Sequence, residues 1–383
     1  MISRLTDWLG SIEITEPQEA GRLRVFGLRW SHGTPLRYGI LDEALAAKTL
    51  EITEVNQSGA VPTLMVNNRS KEMVFLLVGE QLIGAKQNRI LSASMMIPPE
   101  ATIPIPVSCS EAGRWHYQTH RFSSPGTMAF ARMRRKMSRQ VRDSYRSQGY
   151  PAADQLQVWD DVAMKLSALK TQSPSGALHD CYEANAQRLK DILDLLHAPK
   201  NCGGVVFTIG GAIAGADLFD NPVTLAKLFP KLVRAFALDA LEAQALAPTA
   251  GVDQVREWLQ SVTEATTESF KSPGLGQDVR LRGKALIGSC LSIDEHPVHL
   301  ELFPLETQLQ SEEPHTTPQQ PGPADSTVDR PETLSRPQPA SCGQGQSSMS
   351  CKSGVFAWLV NLGRRLLRKP IKNDFPSTRD RPE

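Results

Sequence analysis

Residues 73–115 read MVFLLVGEQLIGAKQNRILSASMMIPPEATIPIPVSCSEAGRW. The first six, Met73 to Val78, form a continuous apolar run, the pattern of a central strand buried on both faces. A polar cluster follows, from Gly79 to Arg89. Ile90 to Ile97 and Ile103 to Val107 are two further strand-like runs, and Pro98-Pro99 between them forbids a helix and marks a turn. Short strands punctuated in this way predict an antiparallel sandwich or barrel-like sheet. No other part of the chain sets so many ionisable and amide side chains between strand-like segments. The floor of any ligand site is therefore expected here.

Working outward toward the N-terminus, Pro62 to Val66 is a short apolar run, closed by a turn at Asn67, Asn68 and Ser70. Leu50 to Val55 alternates apolar and polar residues as a half-buried strand does. Leu41 to Ala47 is helix-like or an irregular turn, and Leu23 to Trp30 reads as a strand. Met1 to Thr15 places Leu5, Trp8, Leu9 and Ile12 on one side of a short amphipathic helix.

Beyond Arg121 the pattern turns helical. Thr127 to Ser147 carries Met128, Met133, Met137 and Val141 at helical spacing among seven basic residues, from Arg132 to Arg146. Gln155 to Leu169 and Leu178 to Leu196 follow as helices, separated by Ser173-Pro174-Ser175-Gly176. Val205 to Ile209, Gly210-Gly211 and Ala212 to Ala216 predict a hairpin. Asn221 is a natural N-cap with Pro222 at the first helical position, opening a helix to about Ala245 that Pro230 kinks or splits. Val252 to Ala265 reads as a helix, and Asp278 to Leu291 and Pro297 to Leu302 as strands.

The expectation is an α+β domain over residues 23–303, preceded by a helical lead-in, 1–22. In it, an antiparallel β-rich N-terminal half packs with a helical half that contributes further strands. Residues 304–353 are dominated by Pro, Gln, Ser, Thr and Gly and bury too little apolar area to offset their ordering entropy, which predicts a disordered linker. Within 354–370, Val355 to Lys369 sets Phe356, Leu359, Leu362 and Leu366 against Arg364, Arg365, Arg368 and Lys369. That is a basic amphipathic helix suited to an anionic membrane surface or a partner groove. Residues 371–383 read as a disordered tail.

Composition narrows the partners. Across 383 residues, 42 Lys and Arg balance 41 Asp and Glu, so overall charge does not call for nucleic acid. The basic helix lacks interleaved aromatics and reads as a solvated face, so no nucleic-acid partner is expected. The six cysteines are scattered with no C-x-x-C pair, which points to reduced thiols and a cytoplasmic location. No window approaches the roughly 18 apolar residues that a spanning helix needs. No metal site is expected: His116 and His120 are four apart, but not on a clear helix. No cofactor is assigned.

Three clusters carry candidate chemistry. In GEQLIGAKQNR, Lys86 and Arg89 offer cations for a phosphate, and Gln87 and Asn88 offer amides for hydroxyls or base edges. Glu80 orients one of the cations or acts as a base. The alternative is a hairpin whose polar turn simply faces water. In VSCSEAGRW, Glu111 and Arg114 form a salt-bridged turn or join the same ligand site. Cys109 is a nucleophile only where a neighbour lowers its pKa, and otherwise a small buried hydrophobe. In GADLFDNP, Asp217 and Asp220 are three apart, as a ligand-binding or acid–base pair or as capping groups.

These three blocks resemble a prokaryotic family named for its association with ADP-ribosylglycohydrolases and rhodanese-phosphatase proteins. The resemblance spans Leu23 to Phe303 and rests on Gly79, Glu80, Gly84, Lys86, Gln87, Asn88 and Arg89, then on Ser108, Cys109, Glu111, Gly113, Arg114 and Trp115. Ala85 stands where the family pattern has glycine. The resemblance implies a role near NAD and ADP-ribose metabolism, a nucleotide-like ligand and ADP-ribose-processing partner proteins. It implies no particular reaction. The alternative is a non-catalytic interaction protein that docks through residues 355–369.

Overall fold

A computed structural model describes residues 2–30, 36–244 and 249–305. The predicted linker from residue 306 onward, the amphipathic helix 354–370 and the tail 371–383 lie outside the described residues. Within them, the α+β expectation holds at the level of class: three sheets are covered by helices.

The largest sheet has nine strands, all antiparallel. Its order across is Glu13–Ile14, Leu23–Arg29, Gly204–Ile209, Ala212–Phe219, His296–Pro304, Leu286–Ile293, Gln277–Arg282 and Thr266–Lys271, with Gln18–Ala20 also on the Leu23 strand. The predicted hairpin is its centre. The later, helix-rich part of the chain contributes strands to this sheet: Leu23–Arg29 pairs with Gly204–Ile209.

One face of this sheet sets Phe26, Leu28, Val206, Leu218, Leu281 and Leu300 against the helices Ile2–Gly10 and Val252–Gln260. The other sets Val25, Val205, Phe207, Phe219, Leu291 and Phe303 against the helices Ala131–Gln148 and Pro222–Ala240. Asn221 caps the latter, accepting the Thr224 amide at 2.9 Å, and Pro230 lies inside it without ending it.

The opening stretch builds the remaining sheets. Met73–Leu76 is the middle of a three-stranded sheet, antiparallel to Met95–Ile97 and parallel to Tyr38–Ile40. The six-stranded sheet runs Phe122–Ser123, Gln81–Gly84, Arg89–Leu91, Ala101–Cys109, Thr63–Asn68 and Leu50–Glu54. An ion pair between Arg121 and Glu51 ties one outer strand to the other. Leu64, Val66, Leu82, Leu91, Ile105 and Val107 fill the space between these sheets.

Local differences from the sequence reading have local causes. The predicted helix from Leu178 breaks into Leu178–Ala184 and Ala186–Leu195, where the Asn185 side chain donates to the Cys181 carbonyl at 2.9 Å. Asp278 to Leu291 is two strands, turned at Gly283, whose amide donates to the Leu286 carbonyl. Thr266–Lys271 is an unforeseen edge strand. Pro104 and Pro106 sit inside Ala101–Cys109; being two apart, both missing N–H groups face one side. Among the described residues, no helix is long and apolar enough to cross a membrane.

Candidate functional site

The two polar turns of the opening stretch meet, as a shared ligand site requires. Glu111 stands at the junction. Its carboxylate accepts Arg114 Nε at 2.9 Å and Nη2 at 2.6 Å, the Asn88 amide at 3.0 Å and Ser175 Oγ at 2.7 Å. Burial alone pushes the Glu111 carboxyl up, but these donors outweigh it and hold its pKa below the ordinary value. Arg114 also donates to the carbonyls of Ala85 and Gly84 and to Asn88 Oδ1. Gln87 donates to the Glu111 carbonyl. Arg89 Nη1 donates to Gln87 Oε1 at 3.0 Å, and Nη2 reaches Glu54 Oε1 at 3.5 Å.

Gln87, Asn88, Arg89, Glu111 and Arg114 are therefore all buried and turned toward one another. The lattice needs a backbone that turns back sharply. Gly84 has φ +119°, and a Cβ there would stand 2.5 Å from Thr119 Oγ1 and 2.9 Å from the Arg121 carbonyl. Ala85 follows at φ 41°, in the left-handed region that favours glycine.

Lys86 takes another direction. Its ammonium donates to the Ser58 carbonyl at 2.9 Å and lies 5.6 Å from the Trp115 ring centroid and 5.1 Å from that of Tyr117. Trp115 is 46% exposed and Tyr117 40%. Arg89 lies 5.5 Å from the same Trp115 ring but is fully buried. Lys86 and Arg89 thus occupy different depths: one cation faces solvent, and the other is held inside.

Glu80 belongs to a second, deeper cluster. Its carboxylate accepts Lys231 Nζ at 2.5 Å and the Leu77 amide at 2.8 Å, and Lys231 also reaches Asp42 at 2.9 Å. Burial pushes the Glu80 carboxyl up against the partial compensation of Lys231. Lys231 is raised despite burial, because two carboxylates face it.

Asp217 is the centre of a third cluster, on the face of the large sheet covered by Ala131–Gln148. Asp217, Glu301, Ser289 and Arg280 are successive cross-strand partners. Arg134 reaches down from its helix, donating to Asp217 at 2.6 and 3.0 Å and to Glu301 at 3.0 Å. Burial would raise Asp217, but Arg134 and His299 overcome it and hold its pKa at about 2. His299 Nε2 lies 3.1 Å from Asp217, its Nδ1 lies 3.0 Å from Ser94 Oγ, and Ser94 Oγ accepts the Val78 amide at 3.0 Å. Gly79 brings the opening stretch onto this cluster: a Cβ there would stand 3.2 Å from the Arg134 side chain.

Asp217 and Asp220 do not converge. Asp220 bonds the Tyr38 hydroxyl, at the start of the helix that Asn221 caps. Cys109 is fully buried with its thiol pushed up to about 11 by burial, so almost none is thiolate at neutral pH. Its backbone is gripped on both sides by the Gln155 amide. Among the described residues, no group of three or more His, Cys, Asp or Glu is placed to hold a metal ion.

Sequence reasoning missed Arg134, Lys231, Glu54, His299 and Glu301. Three of these carried a signal. His299 and Glu301 are two apart in PVHLELF, which puts both on the face of Phe303. Arg134 falls on the helical stripe of Met133, Met137 and Val141, where a cation must find buried partners.

The sequence profile of the ARG and Rhodanese-Phosphatase-superfamily-associated Protein domain matches residues 11–303. The chain belongs to that family. The match begins twelve residues before the resemblance noted above, and so takes in the edge strands Glu13–Ile14 and Gln18–Ala20. The family's name records an association with those superfamilies and states no activity for the domain. Comparison with curated proteins and with solved structures finds no match.

Proposed function

We propose that this domain binds a nucleotide of the ADP-ribose or NAD class at the surface formed by Lys86, Trp115 and Tyr117. The observation that carries the reading is an ammonium set beside two exposed aromatic rings, above a buried lattice that fixes all three. Aromatic faces stack with a base, and an ammonium meets a phosphate as a point charge. Gln87, Asn88, Arg89, Glu111 and Arg114 act from below: they hold the two turns in register, so that Lys86 and Trp115 are presented together. Glu80, pushed up by burial, is available as a proton-holding group only where a ligand reaches it past Lys231. A cytoplasmic setting suits the four described cysteines, all free and buried. The family's name supports partners from ADP-ribose-processing pathways.

Calorimetric titration with ADP-ribose and with NAD tests this. Removing one stacking ring is expected to cost roughly 1–3 kcal/mol, so Trp115→Ala should weaken binding by about tenfold or more. Lys86→Ala should weaken it less. Both variants alter exposed or half-exposed positions and should keep the wild-type circular dichroism. Absence of binding heat for either ligand with the folded wild-type protein would remove the proposal.

A further inference from the structure

We propose that the ligand of this surface is a single-stranded polynucleotide, so that the nucleotide of the preceding proposal, on which this inference rests, is read as one unit of a polymer. The seven residues from Trp115 to Arg121, termed the ridge, are all exposed and lead into Phe122–Ser123, the outer strand of the six-stranded sheet. Aromatic and basic side chains interleave along it: Trp115, His116, Tyr117, His120 and Arg121. Tyr117 and His120 pack with ring centroids 5.8 Å apart, extending the stacking surface beyond the Trp115–Lys86 pair. Small-molecule sites enclose most of their ligand, whereas a strand laid over a platform leaves each base half in water. Two rings that are each roughly half exposed, side by side on a ridge, match the second arrangement.

The charge agrees. Arg121 and Arg69 both pair with the single carboxylate of Glu51, so these two guanidiniums are only half neutralised. Lys86 adds a third cation beside Trp115 and Tyr117, where it bonds the Ser58 carbonyl and, among the described residues, no carboxylate. The ridge carries what a backbone-tracking surface needs: stacking faces tolerant of any base, and net positive charge beside them. Balanced overall charge and a basic helix poor in interleaved aromatics speak against nucleic acid at the level of the whole chain and of Ala131–Gln148; this ridge sets aromatic and basic side chains together locally.

Fluorescence anisotropy with a fluorescein-labelled octaadenylate RNA, beside calorimetry with ADP-ribose and NAD, tests the inference on the full chain. The octamer should bind at least about tenfold more tightly than ADP-ribose and weaken steeply as salt rises. Trp115→Ala combined with Tyr117→Ala should remove about tenfold or more of the octamer's affinity. Arg121→Gln should lower the salt slope by about one. If ADP-ribose or NAD binds but the octamer binds no better, this inference fails and the preceding proposal stands. If the octamer binds tightly but the double variant binds it equally well, the ridge is not the surface and the inference fails. If none of the three ligands binds the folded protein, the underlying nucleotide reading fails with it.

Discussion

Replacing Arg134 with methionine isolates the energetics of the buried charge row. Methionine keeps a long apolar stem against Gly79 and the Phe303 ring, which lies 5.3 Å from the guanidinium carbon. It removes the one guanidinium that, among the described residues, bonds both Asp217 and Glu301, two carboxylates with essentially no exposure. Breaking a buried pair in this way costs about 3–5 kcal/mol, since the partner charge stays behind without compensation. Asp217 gives an independent gauge: its fall from 3.8 to about 2 corresponds to roughly 2.5 kcal/mol of preference for the ionised form.

The pH dependence has a definite sign. In the wild type the Asp217 pKa is depressed, so its contribution is complete above the ordinary value near 3.8 and is lost as pH falls toward about 2. In Arg134→Met the largest influence on Asp217 that remains is burial, which raises its pKa. Ionisation of Asp217 then opposes folding at neutral pH, and protonation relieves it. Urea denaturation at pH 7.5 and pH 5 is the assay. At pH 7.5 the midpoint should fall by about 1 M or more, given slopes of about 1–3 kcal/mol per molar. At pH 5 the deficit should shrink. A deficit under about 1 kcal/mol, or one equal at both pH values, refutes the reasoning.

Two further perturbations follow from the site geometry. Gly84→Ala forces a Cβ against Thr119 Oγ1 and the Arg121 carbonyl at φ +119°, and should lower stability by about 2 kcal/mol or more while shifting Trp115 fluorescence; an unchanged thermal midpoint contradicts the turn described here. Cys109, with its thiol at about 11, should alkylate at pH 7.5 at least about two orders of magnitude more slowly than a free thiol. Peptide mapping after iodoacetamide treatment reads that rate, and rapid native labelling at Cys109 overturns the burial argument.

The class of fold and many of its elements were legible because they depend on local patterns. The apolar run at Met73, the hairpin at Gly210-Gly211 and the cap at Asn221 all announce themselves within a few residues. The partners of the charged groups were not legible, since pairing depends on which distant strands lie side by side. Lys86, Gln87, Asn88 and Arg89 are consecutive, yet one faces solvent while the other three are consumed by Glu111, Arg114 and Glu54. Spacing showed that the two turns were polar. It did not show that the carboxylates were supplied in place to neutralise the cations, and that fact moves the candidate surface from Arg89 to Lys86 and Trp115.

The nine-stranded sheet also constrains how the chain is made. Leu23–Arg29 finds its hydrogen-bonding neighbour in Gly204–Ile209, which pairs on its other edge with Ala212–Phe219, and that strand pairs in turn with the one ending at Pro304. On the ribosome the Leu23–Arg29 strand must wait, one edge unsatisfied, while residues 30–203 emerge before its mate exists. Closing so long a loop is slow, and an exposed edge in the meantime invites pairing with other nascent chains. Synthesis in bacteria should therefore depend on chaperone supply, and separately expressed pieces cut in the turn near Gly149 should reassemble only when mixed.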